Sequence, residues 1–223
     1  ASPIVLTDNN FASMPKVVFE GRRVINNIQN SSSLYLMKTL FTTVFALISI
    51  ITGTMYPFVT SNMLILEFFV IGIPTFFLSL QPNTNRVSGK FLSFVLSRAV
   101  PGAIILVLAV QSTSIIAHFQ PDYFDEYYTT ISVYLISFAG LIMLYRVCQP
   151  FNFFRAILFI AMFAISLIGL TLLPDIFIEK NHTPLGFVQI MYVLLIIMLC
   201  IPLSGVLLRI TDKLNKSSEK KRI

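Results

Sequence analysis

Six long apolar runs separated by short polar stretches dominate the chain, at positions 34–55, 60–80, 99–117, 129–145, 156–173 and 187–208. A helix crossing a hydrocarbon core takes about 17 to 25 such residues, so each run is a candidate span. None alternates polar and apolar residues at period two, which a membrane barrel requires. The pattern predicts an all-α membrane protein, a bundle of six transmembrane helices. The first thirty residues break the pattern. A short apolar strand at 4–6 and a polar turn at 8–10 lead into a helix from about Met14, with Ser13 as its cap and Pro15 in its first turn. That strand-turn-helix reads as the cytoplasmic remnant of an α/β domain. No proline follows Pro15 until Pro57, so nothing in the backbone chemistry forces a break between this helix and the first span. About 40 residues at roughly 1.5 Å each would form a rod of roughly 60 Å. The alternative is a linker that frays at Gly21 or at Ser31, Ser32 and Ser33.

Composition agrees with a membrane protein. Hydrophobic residues make up 56% of the chain and charged residues 12%, against about 25% charged in a soluble domain. Charge then orients the bundle. With the N-terminus in the cytoplasm, Lys16, Arg22, Arg23, Arg86, Lys90, Arg98, Arg146, Arg155 and the basic tail at 209–223 share one side. The other side has Lys180 as its basic residue, with Asp122, Asp125, Glu126, Asp175 and Glu179. This is a positive-inside pattern, predicting a multi-pass protein of the cell membrane with both termini cytoplasmic. The net charge of +6 therefore reflects topology and headgroup contact rather than nucleic-acid binding. Cys148 and Cys200 form no disulfide framework or metal-ligand spacing, and His118 and His182 are far apart in sequence. The chain does not begin with methionine, which suggests a piece of something longer.

One carboxylate lies inside an apolar run. Glu67 belongs to "LILEFFVIGIPTFFLSL", and a charge at the centre of a spanning helix costs roughly 2.5 to 3.5 kcal/mol on insertion scales. Pro74 has no amide hydrogen, so the backbone carbonyl of Val70 loses its usual partner. Val70 and Ile71 follow Glu67 by one turn on the same face. A carboxylate beside loosened carbonyls is an oxygen-rich pocket of the kind a hard cation needs. Gly72 would let another helix approach closely. The other reading is that Glu67, a few residues from the external end, snorkels to water or stays protonated.

The segment "IVLTDNNFASMPKVVFEGRRVINNIQ" resembles the part of cation-transporting P-type ATPases that leaves the phosphorylation domain and becomes the stalk of the fifth transmembrane helix. "IGIPTFFLSLQPN" is similar to that family's sixth helix, and six spans ending in "CIPLSGVLLRITDK" fit its C-terminal membrane half. The likeness is nearest the bacterial calcium-transporter branch. It implies residues 1–30 as the end of the phosphorylation domain and stalk, 31–208 as the transmembrane domain and 209–223 as a cytoplasmic tail. The family's DKTGT and GDGxND motifs do not occur in the sequence. ATP and magnesium are thus expected of a parent protein, with no cofactor site in this chain, and Asp8 is a structural turn residue.

The resemblance also supplies neighbours for Glu67. It puts Thr39 and Thr42 where calcium pumps carry an asparagine and a glutamate, and Ile71 where they carry an aspartate. Fewer acids suit a single cation or a proton. Lys38 could pair with Glu67 after ion release as a built-in counter-charge, or snorkel to the cytoplasmic surface. The function implied is the cation-translocation domain of an ATP-driven pump, partnered by a transported cation, the bilayer and the pump's N-terminal ATPase domains. A free-standing six-helix channel, secondary transporter or membrane scaffold is the alternative.

Overall fold

A computed structural model of the chain describes residues 14–54, 56–83, 86–87, 90–178 and 183–220, without the side chains of 215–220. The strand and turn expected at 4–10 and the Ser13 cap lie outside the described residues, as do Glu179, Lys180 and His182. Among the described residues there is no strand, and six helices are long and apolar enough to cross a membrane. This is a multi-pass helical membrane protein, as the hydrophobic pattern predicts.

Helix α1, Met14–Thr52, runs unbroken through Gly21 and the three serines. Its end is set by Gly53, whose φ of +68° is the left-handed conformation that a glycine adopts cheaply after a helix C-terminus. The chain then turns back into the bundle. Tyr56 packs on Phe45 with ring centroids 5.7 Å apart, and Phe58 on Phe41 at 5.9 Å, so this extended segment descends beside α1 before the next helix begins. The second span, Thr60–Ser79, comprises a 3₁₀ turn at Thr60–Met63, a π-helix at Ile65–Gly72 and α2 at Ile73–Ser79. It is followed by α3 (Phe91–Phe119), a short α4 (Pro121–Phe124) and α5 (Tyr128–Val147). Next come α6 (Phe153–Leu172), a short α7 (Pro174–Phe177) and α8 (Phe187–Lys220). Asn152 caps α6 by accepting from the Arg155 amide at 2.8 Å. Helix α8 carries the basic sequence after Leu208 onward as helix through Lys220.

The core lies between α1, the second span, α3 and α5, where Phe41, Phe45, Leu66, Ile71, Leu106 and Leu135 are fully buried. Helix α5 is central, 72% buried over its most apolar window against 17% for α8, whose exposed apolar face suits lipid. Close approach of α5 to the π-helix depends on Gly140. A Cβ there would stand 2.6 Å from Leu66 Cδ1 and 3.3 Å from both Val70 methyls. Val70 is β-branched and has little rotamer freedom with which to yield. Gly140→Val is therefore expected to cost about 1–3 kcal/mol by overpacking, read as a lower melting temperature in detergent.

Candidate functional site

The second span is helical throughout but α-helical only from Ile73, and Pro74 follows closely on the π-helical stretch. Its ring crowds the carbonyl one turn back, and a π turn widens the helix at that point. Ile73 N–H donates to Phe68 O, five residues back, fixing the π register. In that register the carbonyl of Phe69 needs the amide of residue 74, which proline lacks. The Thr75 amide stands at i+5 from Val70 and i+4 from Ile71, so one donor faces two carbonyls by spacing. Counting in the π register thus adds the Phe69 carbonyl beside the Val70 carbonyl, which α-helical spacing picks out, as an oxygen short of a donor. Gly72 also differs from expectation. A Cβ on it would lie 3.0 Å from Glu67's own carbonyl oxygen, so its bareness admits the π turn rather than an approaching helix. Thr75 Oγ1 donates to Gly72 O at 3.0 Å, adding a bond where the two ladders meet.

Lys38 Nζ pairs with Glu67 Oε1. Both side chains are only partly accessible, at 28% and 39%. Sequence position alone puts the two groups towards opposite ends of the bundle. The descent of Tyr56 and Phe58 along α1 starts the second span deep enough to bring Glu67 level with Lys38. Thr39 is exposed and its hydroxyl donates to Tyr35 O at 3.1 Å; Thr42 is half-buried and donates to Thr39 O at 3.1 Å. Neither hydrogen-bonds to Glu67 among the described residues, but each keeps hydroxyl lone pairs free. Thr42, four residues after Lys38, lies one turn along the same face of α1. No group of three or more His, Cys, Asp or Glu side chains that could hold a metal occurs among the described residues. Cys148, just beyond α5, is buried and its thiol is pushed up to about 11 by desolvation, with Arg155 opposing. Both cysteines are free and buried, consistent with packing roles.

A second constellation fastens α1 to the far end of α2. Asn27 Nδ2 donates to Ser79 O at 2.9 Å and Gln81 O at 3.1 Å, and Asn26 Nδ2 donates to Asn83 O at 3.0 Å. Arg23 Nη2 reaches Leu80 O at 3.4 Å, and Arg155 Nε donates to Gln81 Oε1 at 2.7 Å. The last carbonyls of a helix have no partner of their own, and here the paired asparagines supply it. These bonds tie α1 to the end of α2. The asparagine pair stands out in the sequence, but its partners become visible only once α2 folds back alongside α1.

No family model matches the chain, and no solved structure matches it. Curated proteins do. A probable cation-transporting ATPase, exp7, of Streptococcus pneumoniae is 29% identical over 165 residues, 70% of this chain and 21% of that protein. The calcium-transporting ATPase CtpE of Mycolicibacterium smegmatis is 33% identical over 168 residues, again 70% and 21%. The CtpE protein of Mycobacterium bovis is 33% identical over 172 residues, 71% and 22%. The chain thus spans about a fifth of the length of the curated relatives it matches.

Proposed function

We propose that this homologue of the cation-transporting P-type ATPases supplies the cation-translocating membrane part of an ATP-driven pump, with its ion site between α1 and the second span. The observation that carries the proposal is the Lys38–Glu67 pair, set beside the turn where the π register and Pro74 leave backbone oxygens short of donors. An oxygen set of the Glu67 carboxylate, the Phe69 and Val70 carbonyls and the hydroxyls of Thr39 and Thr42 matches the preference of a hard cation. In the ion-free state the Lys38 ammonium neutralises Glu67. A cation reaching the site displaces the ammonium, which returns when the cation leaves, so the carboxylate is compensated in both states. One carboxylate among neutral oxygens suits a single cation. The names of the mycobacterial relatives favour calcium.

Coupling would run along α1. Its 39 residues reach from beyond the apolar run to the level of Gly53, and the Asn26 and Asn27 bonds tie its motion to α2. Phosphorylation and nucleotide chemistry, with ATP and magnesium, would belong to N-terminal domains of the parent protein. The basic ends of the helices would face the cytoplasm in the cell membrane.

The two halves of this assignment are tested together by ATP hydrolysis. The 223-residue chain purified alone is expected to show no cation-stimulated hydrolysis, while one polypeptide that includes the N-terminal ATPase domains shows it. Hydrolysis by the chain alone, or cation flux through it in vesicles without ATP, would contradict the pump reading; the second result would favour a free-standing channel.

A further inference from the structure

We propose that a cavity at the basic end of the bundle, between α3, α5 and α8, binds the headgroup of an anionic phospholipid. The site is distinct from the cation site and does not depend on it. The cavity measures about 670 Å³, and its charged lining is Arg98, Arg146, Arg209 and Asp212. Three guanidiniums against one carboxylate leave the cavity positive, and none of the three makes an ion pair among the described residues.

Neutral groups hold Arg98 and Arg146 in place. Arg98 Nη1 donates to Asn30 Oδ1 at 2.9 Å, and its guanidinium carbon stands 4.4 Å from the centroid of the Phe94 ring. Arg146 donates through Nε and Nη2 to Ser204 Oγ at 3.3 and 3.2 Å, and through Nη2 to Ile201 O at 3.4 Å. Gly205 makes room for it, since a Cβ there would lie 3.3 Å from Nη2. Arg209 has no hydrogen-bond partner among the described residues. Thr211 Oγ1 donates to Ser97 O at 2.8 Å and clasps α8 to α3 beside the cavity. The held guanidiniums of Arg98 and Arg146, without an ion pair among the described residues and with donors to spare, are pre-organised for phosphate, which arginine binds in a bidentate fashion. Arg209 is free to join them.

The remaining walls favour a lipid over a free anion. Met143 closes the inner side of the cavity, while Ile201, Pro202 and Val206 are exposed on the outward face of α8 and extend the lining along the bundle's flank. A ligand that places an anion on the arginines and hydrocarbon on that face satisfies both surfaces, and α3 begins and α5 ends at this level, where headgroups lie.

The test is native mass spectrometry of the full-length protein in detergent, titrated with phosphatidylglycerol, with phosphatidylcholine of the same acyl chains, and with inorganic phosphate. Phosphatidylglycerol is expected to bind at least about fivefold more tightly than phosphatidylcholine, and millimolar phosphate should not displace it. Arg146→Gln and Arg209→Gln should each weaken phosphatidylglycerol binding by about fivefold. Arg86→Gln removes the same charge from an exposed position outside the cavity and should leave binding unchanged. Arg209→Gln breaks no internal bond, so an unchanged melting temperature separates loss of binding from loss of fold. Equal binding of the two lipids, displacement by phosphate, or an equal effect of Arg86→Gln would overturn the proposal.

Discussion

Replacing Glu67 with Gln in the full-length protein is expected to lower its apparent cation affinity at least tenfold while leaving the fold intact. The change keeps the shape of the side chain and one oxygen but removes the charge that a cation meets. Losing a charged partner in a partly desolvated site typically costs several kcal/mol, and about 1.4 kcal/mol is already tenfold in binding. Expression and detergent melting should stay near wild type, because Lys38 sits on a long stem and can carry its charge towards water once unpaired. The readout is the cation dependence of phosphoenzyme formation. Thr39→Val removes only a hydroxyl and should shift that dependence in the same direction by less. An unchanged dependence in Glu67→Gln would move the ion site elsewhere.

Lys38→Met has the opposite sign. If the ammonium competes with a cation for Glu67, removing it should raise apparent cation affinity by about tenfold, equivalent to about 1.4 kcal/mol. The ion-free state then keeps a carboxylate without its counter-charge. Dephosphorylation and return to the ion-accepting state should slow, so turnover falls although affinity rises. A fall in affinity would mean that Lys38 stabilises the ion-bound state and that the pair is not a switch. Melting should drop by more than for Glu67→Gln, because the carboxylate has no long stem with which to reach water.

What could be read in the sequence and what could not divide along a physical line. The six spans were legible because burial in lipid imposes a length and a composition that each helix must meet on its own. The unbroken α1 was legible for a similar local reason, the absence of proline from Lys16 to Tyr56. Pro74 announced a break in the second span but not its form. Whether the helix opens, kinks or widens depends on how the i+4 and i+5 amides are shared and on the bare Gly72 beside the Glu67 carbonyl. The Lys38–Glu67 pairing stays one of two open alternatives in the sequence for a related reason. Counting from the ends of apolar runs separates Lys38 from Glu67, and only the packing of Tyr56 and Phe58 on α1 shows where the second span begins. The Asn27 bonds to Ser79 and Gln81 cross more than fifty positions and carry no periodic signal. The arginine cavity likewise draws on three helices, whereas in sequence its residues pass for ordinary basic flanks of spans.

Whether Lys38 and Glu67 act as one unit is measured by a double-mutant cycle. Apparent cation affinity for phosphoenzyme formation is determined in the wild type, Lys38→Met, Glu67→Gln and the double variant. If the ammonium acts by competing for the carboxylate, the rise caused by Lys38→Met disappears once Glu67 is Gln, and the double variant matches Glu67→Gln alone. If Lys38→Met changes affinity by the same factor in both backgrounds, the two groups are independent and the proposed switch is contradicted.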